Sequence, residues 1–550
     1  MSDNTPLTPV ELEIVRNAYV AAAEEMSVTV WRTSRSSVVR EILDYSTGVF
    51  DADGDSIAQS ARIPVHLNSM GACLRDVIDH HLPLDAWHEG DIVLTNDPYC
   101  GGQHLNDLQA FTPVFVDGRR VAIAGVLVHH LDVGGGAPGS YAPQATEVFQ
   151  EGIRIPPVKV VAGGVRNEDL LAMFLQNSRE PRNVGGDLDS QLAALKIGVR
   201  SLAKLSERYG NNVLLSAPKA IQAQSEHAFR QAIESIPDGV YSFEDRVDDD
   251  GITDTPIDIA VDITVSGDEM IVDLSRSSPQ ATGPVNCTPN MTASAVYCAA
   301  LMAIGRDIPA NAGCYRPIRI VAPPGKVVSA VSPAPVANRM AVGHRVVTTV
   351  MGALAKALPG QVPAAYYGVS YAYAVGLEHP NGERQVYFDL ECGGWGGHPL
   401  GDGANALSCG FHNVANSPVE MIESTYPLRF TQYALRDGSG GPGRSRGGLG
   451  LVREFELDSA GTLAANLDRF KFPPYGLEGG EPGAVGELTL TRANGERAAL
   501  PSKVAGLSLA PGDRVRLATS GGGGYGSPEA RSPLAHQADV SNGYVREDAD

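Results

Sequence analysis

A chain of 550 residues, 43% hydrophobic and 19% charged, has ordinary globular composition and enough length for two to four domains around a large core. Its 64 acidic against 43 basic residues, a formal net charge of -21, exclude nucleic acid and anionic membrane as long-range partners. Seven cysteines with no CxxC pair, an N-terminus without a basic or apolar leader, and no apolar run of membrane-spanning length predict a soluble cytoplasmic protein with free thiols.

Thr8-Pro9-Val10-Glu11 has the form of a capping box with proline at the first helical position. Leu12, Val15, Tyr19, Ala22, Ala23 and Met26 then recur at three- and four-residue steps, which predicts an amphipathic helix to about Trp31. The segment 34–59 reads as two short strands about a turn at Asp51-Ala52-Asp53-Gly54; it opens like a calcium loop but lacks the closing glutamate. Asp44, just before the first of these strands, either faces the same cleft as His104 or pairs with Arg40. A helix is predicted from Asn68 to His81. His66, His80, His81 and His88 have no partner spacing and are assigned to surface or core.

Residues 92–151 carry the chemistry. The apolar run Ile92-Val93-Leu94 leads to Asn96, Asp97 and Pro98, then to Gly101, Gly102, His104 and Asp107, and a second run, Val121 to Val128, ends at His129, His130 and Asp132. Neighbouring strand residues point to opposite faces, so only one of the two histidines shares a face with Asp132; this pairs His130 with Asp132 and leaves His129 on the other side. Imidazole and carboxylate together suit zinc, iron or manganese, an ion that would polarise a carbonyl or acidify a water. The same residues also fit a hydrogen-bonded turn with two core histidines and capping aspartates, and spacing alone does not separate the two readings.

Further on, Asp187 is placed as the cap of a helix running to Gly210 with a stripe of Leu192, Leu195, Val199, Leu202 and Leu205, and a second helix over 219–236 completes a hairpin beside the N-terminal sheet. Strands return from Gly239 with a turn at Ser266-Gly267-Asp268; helices are predicted over 292–304 and 342–358, with strand, turn and strand over 316–331. Four glycine-rich stretches, 393–407, 437–450, 476–487 and 520–528, are read mainly as tight turns between strands, and otherwise as places where the backbone comes close to a ligand or partner. None has the GxxxxGK[ST] order, so no nucleotide site is inferred. The fold class is therefore α+β, with several layers of mixed β-sheet, packed helices and a glycine-rich β C-terminal third. The expected divisions are 1–160, an α+β metal-site region; 161–240, a helical hairpin; 241–360, α+β; 361–528, glycine-rich and mainly β; and 529–550, a mobile tail.

The strings LDYSTGVFDADGD, TNDPYCGGQHLNDLQAFTPVF, VHHLDVGGGAPGS, QNSREPRNVGGDLDSQLAA, DLSRSSPQATGPVN, IPANAGCYRPI, STYPLRFTQYALRDGSGGPGRSRGGLGLVREFE, LDRFKFPPYGLEGG and LAPGDRVRLATSGGGGYGSP, in this order, resemble the hydantoinase B/oxoprolinase family over nearly the whole chain. The resemblance implies a metal-bearing subunit of a hetero-oligomer, partnered by a hydantoinase A-type ATPase subunit that binds ATP. The partner would phosphorylate a small cyclic amide such as a hydantoin, 5-oxoproline or lactam, and water attack with ring opening would fall to this chain. Carried over by motif, the metal positions are Asp44 in LDYS, His104 and Asp107 in HLND, and His130 in HHLD, holding a divalent zinc, manganese or iron. Where many members read THLPD this chain reads QHLND, keeping both ligand positions without the proline. His129 is then expected at the substrate or behind the ligands, and Asp132 as a proton carrier or as the group orienting an imidazole. Two other readings go with the same residues: a subunit of an ATP-dependent ketone carboxylase, and a non-catalytic scaffold for the ATPase subunit.

Overall fold

The computed structural model describes residues 7–545 except 67, 306, 379–381 and 383. The apolar run Val121 to Val128 is buried on both faces because it forms most of an inner strand, β5 (Arg119–His129), of a seven-stranded sheet. That sheet also contains β1 (Tyr45–Phe50), β2 (Ser56–Gln59), β3 (Ile92–Thr95), β4 (Asp107–Val116), β6 (Val158–Ala162) and β7 (Val165–Arg166), in the order β2-β1-β5-β4-β3-β6-β7. Side chains alternate along β5 as a pleated strand requires. Ala122, Ala124, Val126 and Val128 join the core beneath the helices Pro9–Thr33 and Pro181–Tyr209, whereas Ile123 and Leu127 pack with Phe50, Met70, Leu74, Trp87 and Phe111 on the opposite face.

The first helix starts at Thr8 with the expected capping box, the Thr8 hydroxyl accepting from the Glu11 N–H while the Glu11 carboxylate accepts from the Thr8 N–H. The expected hairpin β1-β2 turns at Asp51–Gly54. Asp187 is a correction. The helix begins six residues earlier, at Pro181, and Asp187 lies inside it; its Oδ1 accepts the backbone N–H of Arg35 at 2.6 Å and of Ser36 at 3.1 Å, tying the end of the first helix to this one. The helix Asn211–Glu234 follows directly, as the hairpin reading requires.

The second half holds three further sheets. One, from Gly239–Val247, Ile257–Ser266, Glu269–Asp273 and Ile318–Val321, is antiparallel except for its last pair. Only the first strand predicted over 316–331 forms there. Against this sheet packs the helix Arg339–Ala357, buried from Arg339 through Leu354 although it carries Arg339, His344 and Arg345. Its Arg345 pairs with Asp468, which Lys503 also meets at 2.9 Å, and all three are buried. Removing one partner of such a cluster leaves an uncompensated charge and costs about 3–5 kcal/mol. Among the described residues no helix is long and apolar enough to cross a membrane.

The glycine-rich stretches differ from expectation. Within them the glycines at positive φ are Gly438, Gly479 and Gly526, so most are not turn glycines. The segments instead lie against one another main chain to main chain. A Cβ on Gly394 would stand 1.8 Å from the Gly448 carbonyl oxygen, and one on Gly522 would stand 1.9 Å from that of Trp395. The freed space is closed by hydrogen bonds such as Gly448 N–H to Trp395 O at 2.7 Å, Gly522 N–H to Gly448 O at 3.0 Å and Gly397 N–H to Gly523 O at 2.7 Å. Within the expected tail 529–550, Pro533–Ser541 is a helix capped by the Ser532 hydroxyl, and its buried Asp539 pairs with Arg446 and Arg531; 546–550 lie outside the described residues.

Candidate metal centre

The loop between β3 and β4 is built by its own polar side chains. Asn96 donates to the carbonyls of Leu105 and Ile153 and accepts from the Ile155 N–H, pinning both ends of the loop. Gly101 adopts φ +74° against the backbone of Cys73, where a Cβ would come within 2.4 Å, so the glycine is required both for the turn and for the approach. Asn106 donates to the His130 and Gly139 carbonyls and thereby fastens the loop to the end of β5. The result is that His104 and Asp107 stand beside that strand end.

Asp107 is the register partner of His129 in the antiparallel β4-β5 ladder, and residues directly opposite share a face. The three reactive atoms form a nearly equilateral triangle: His104 Nε2 to Asp107 Oδ1 3.0 Å, His104 Nε2 to His129 Nδ1 3.2 Å, and His129 Nδ1 to Asp107 Oδ1 3.3 Å. All three residues are buried. Hydrogen bonds can satisfy at most two sides of such a triangle, whereas a cation at its centre uses all three lone pairs. Ligand bonds of about 2.1 Å opening at about 90–109° separate donor atoms by about 3.0–3.4 Å, so the spacing and the mixed N/O donor set fit a divalent ion. Behind the triangle the Arg339 guanidinium donates to Asp107 Oδ2 at 3.1 Å, leaving Oδ1 free for the shared centre.

Electrostatics agree with the geometry. Burial, reinforced by the Arg339 charge, pushes His104 down to about 3, so this imidazole is neutral and offers a lone pair at neutral pH. Burial opposes ionisation of Asp107, but the Arg339 guanidinium on Oδ2 counters it and holds the carboxyl below the usual carboxylate range.

The remaining sequence-picked residues divide. Asp44 stands at the rim, with Oδ2 3.7 Å from His129 Nδ1 and Oδ1 3.9 Å from His66 Nε2; the alternative pairing with Arg40 is not formed. His130 stands apart from the triangle. The two histidines do face opposite ways, but His130 points to the helical side, where Nε2 meets Gln191 Oε1 at 3.5 Å and the ring edge meets Phe174. The parity argument leaned on Asp132, which lies beyond the end of the strand; the register of Asp107 decides the face. Asp132 also stands apart from the triangle, with both oxygens accepting hydrogen bonds: Oδ1 from the N–H groups of Gly134 and Arg179, Oδ2 from the Gly139 N–H and the Arg179 side chain.

A cavity opens beside the triangle, lined by Asp44, His66, His129, Tyr141, Arg339, Ser370, Phe388 and His412. Sequence reasoning missed Arg339, His66, Ser370 and His412. They come from segments with no spacing relation to the HLND and HHLD strings, and only the fold brings them there.

A family model described as Hydantoinase B/oxoprolinase matches residues 8–528. The caprolactamase subunit beta of Pseudomonas jessenii is 32% identical over 98% of this chain and 94% of its own length. The 5-oxoprolinase 1 of Arabidopsis thaliana is 31% identical over 94% of this chain, which spans 42% of that longer protein. The crystal structure of the ATP-dependent caprolactamase from Pseudomonas jessenii superposes with a TM-score of 0.91 at 30% identity, covering 98% of this chain and 95% of that one. A nucleotide-free acetone carboxylase structure superposes at 0.90 and 19% identity over 98% of this chain and 78% of that one, a likeness of fold.

Proposed function

This chain belongs to the hydantoinase B/oxoprolinase family, and from that membership we propose that it is the metal-bearing subunit of a heteromeric ATP-dependent hydrolase that opens small cyclic amides. The substrate is of the hydantoin, 5-oxoproline or lactam class, in keeping with the relatives named for caprolactam and 5-oxoproline. The partner is a hydantoinase A-type ATPase subunit, which binds ATP and phosphorylates the amide oxygen; water attack and cleavage of the C–N bond fall to this subunit.

The observation that carries the reading is the buried His104, Asp107 and His129 triangle, of which His129 lines the adjoining cavity. These three residues would hold a divalent zinc, manganese or iron, with Asp44 as the nearest fourth oxygen. When bound, such an ion supplies Lewis acidity, polarising an acyl oxygen or acidifying a water. Arg339 fixes the Asp107 carboxylate in the orientation this requires, and the apolar side chains of Phe388, Leu390 and Val414 limit the water that can enter.

The test is co-expression with the cognate ATPase subunit and an assay of ATP-dependent ring opening across hydantoin, 5-oxoproline and caprolactam. Turnover of at least one ring, lost in His129→Ala, is the expected result. Turnover by the ATPase subunit alone, or full activity in His129→Ala, would return the chain to the role of scaffold. Bicarbonate-dependent ATP hydrolysis with a ketone would move it to carboxylation.

A further inference from the structure

A second polar cluster reaches the same cavity and takes no part in the triangle. His412 and Ser370 line the cavity, and behind them lie His344, Tyr366 and Cys409, all buried. Tyr366 OH is 3.1 Å from His344 Nδ1; His344 Nε2 is 3.1 Å from His412 Nε2; and the Ser370 hydroxyl bonds His412 Nε2 while lying 3.5 Å from His344 Nε2. Cys409, His344 and His412 each offer one atom within 4.8 Å of the others, but the short contacts fall on opposite nitrogens of His344: Cys409 Sγ lies 3.7 Å from Nδ1 and His412 Nε2 lies 3.1 Å from Nε2.

The arrangement is a one-way chain of donors. The buried Tyr366 hydroxyl needs an acceptor, and an imidazole nitrogen is a better one than a thiol sulfur, so its proton goes to His344 Nδ1. His344 then carries its own proton on Nε2 and passes a hydrogen bond to His412 Nε2, directly or through Ser370. His412 is left with its proton on Nδ1. That nitrogen is buried and has no hydrogen-bond partner among the described residues. Burial, with the Arg339 and His66 charges, pushes His412 down to about 3, so the ring is neutral at physiological pH.

We propose that His412 Nδ1–H is a hydrogen-bond donor to the acyl-derived oxygen of the substrate, poised by Ser370, His344 and Tyr366 to meet the negative charge that develops there as water adds. The proposal rests on the cyclic-amide reading above and adds a donor that is independent of the metal ligands. A neutral imidazole held in one tautomer suits this task, because it donates without competing for the proton of the attacking water.

The test has two arms. In the complex with the cognate ATPase subunit, His412→Ala lowers kcat by about 10²–10³-fold, the usual loss for one such donor, with KM and bound metal little changed. His412→Asn, whose amide N–H occupies the Nδ1 position, recovers at least tenfold over alanine, and His412→Gln, whose N–H occupies the Nε2 position, does not. In the isolated chain, ¹⁵N-histidine NMR assigned with His412→Asn reads a neutral Nδ1–H tautomer from pH 6 to 8. An Nε2–H tautomer, wild-type kcat in His412→Ala, or equal effects of Asn and Gln would overturn the proposal. Failure of the wild-type complex to open any cyclic amide would instead count against the function, while the NMR arm still reads the donor in the chain alone.

Discussion

Arg339 and Asp107 lie 232 positions apart and meet through one buried contact, Nη2 to Oδ2 at 3.1 Å. The contact makes the second half of the chain part of the candidate metal centre. It neutralises one oxygen of the carboxylate and turns the other toward His104 and His129. Arg339→Met is therefore expected to weaken metal binding by about 10–100-fold, as the loss of outer partners of ligands does, with Arg339→Lys intermediate. Competition titration against a metal indicator measures it; unchanged affinity in Arg339→Met would show that Asp107 needs no such support.

The two adjacent histidines make a sharp pair. His129→Ala is expected to purify without metal and without ring-opening activity, whereas His130→Ala retains metal, since its ring faces Gln191 and Phe174. Elemental analysis of the two variants decides it. The reverse outcome would restore the assignment that sequence parity first suggested.

Glu151 carries a pH prediction. Burial raises its carboxyl to about 8, although Oε1 accepts the N–H groups of Val336 and Ala337 at 2.8 and 2.7 Å. An acid whose folded value lies above its unfolded value binds the proton more tightly when folded. Its contribution is therefore fully present below the unfolded value near 4.5 and is lost as pH rises toward the folded value near 8. Glu151→Gln, which keeps the accepting oxygen, is expected to match the wild type in thermal stability at pH 4.5 and to exceed it at pH 8. Equal melting curves at both pH values would refute this.

The glycine-rich layers give a stability contrast. Gly522→Ala places a methyl 1.9 Å from the Trp395 carbonyl oxygen and is expected to destabilise by about 3 kcal/mol or more, or to abolish folding. Gly401→Ala meets nothing within 4 Å and has no left-handed φ, so it is expected to be neutral. Denaturant midpoints of the two variants compare them directly.

What the sequence disclosed follows from the range of the interactions involved. The capping box at Thr8, the hairpin at Asp51–Gly54 and the buried strand at Val121 are local patterns, and each forms as read. His104 and Asp107 can be read as a pair because only three positions separate them, His104 at the end of the loop and Asp107 at the start of β4. The choice between His129 and His130 was not, because it depends on the pairing of β4 with β5, a register that alternation along one strand cannot supply. Asp187 and Asp132 misled for a related reason: a buried aspartate that holds backbone N–H groups from a distant segment has the same local appearance as a cap or a proton carrier. The glycines of the C-terminal third were misread as turns because close main-chain packing of separate segments leaves no periodic signature.

The helix Arg339–Ala357 carries Arg339 in its first turn and His344 in its second, and its buried stretch leaves it little freedom to shift. One rigid rod thus sets the orientation of Asp107 and the tautomer of His412 together. A gene cut between the helix Asn211–Glu234 and the strand Gly239–Val247 would place His104, Asp107 and His129 on the first piece and Arg339, His344 and His412 on the second. Neither piece alone would assemble a working cavity, so any revival of activity would have to come from complementation of the two.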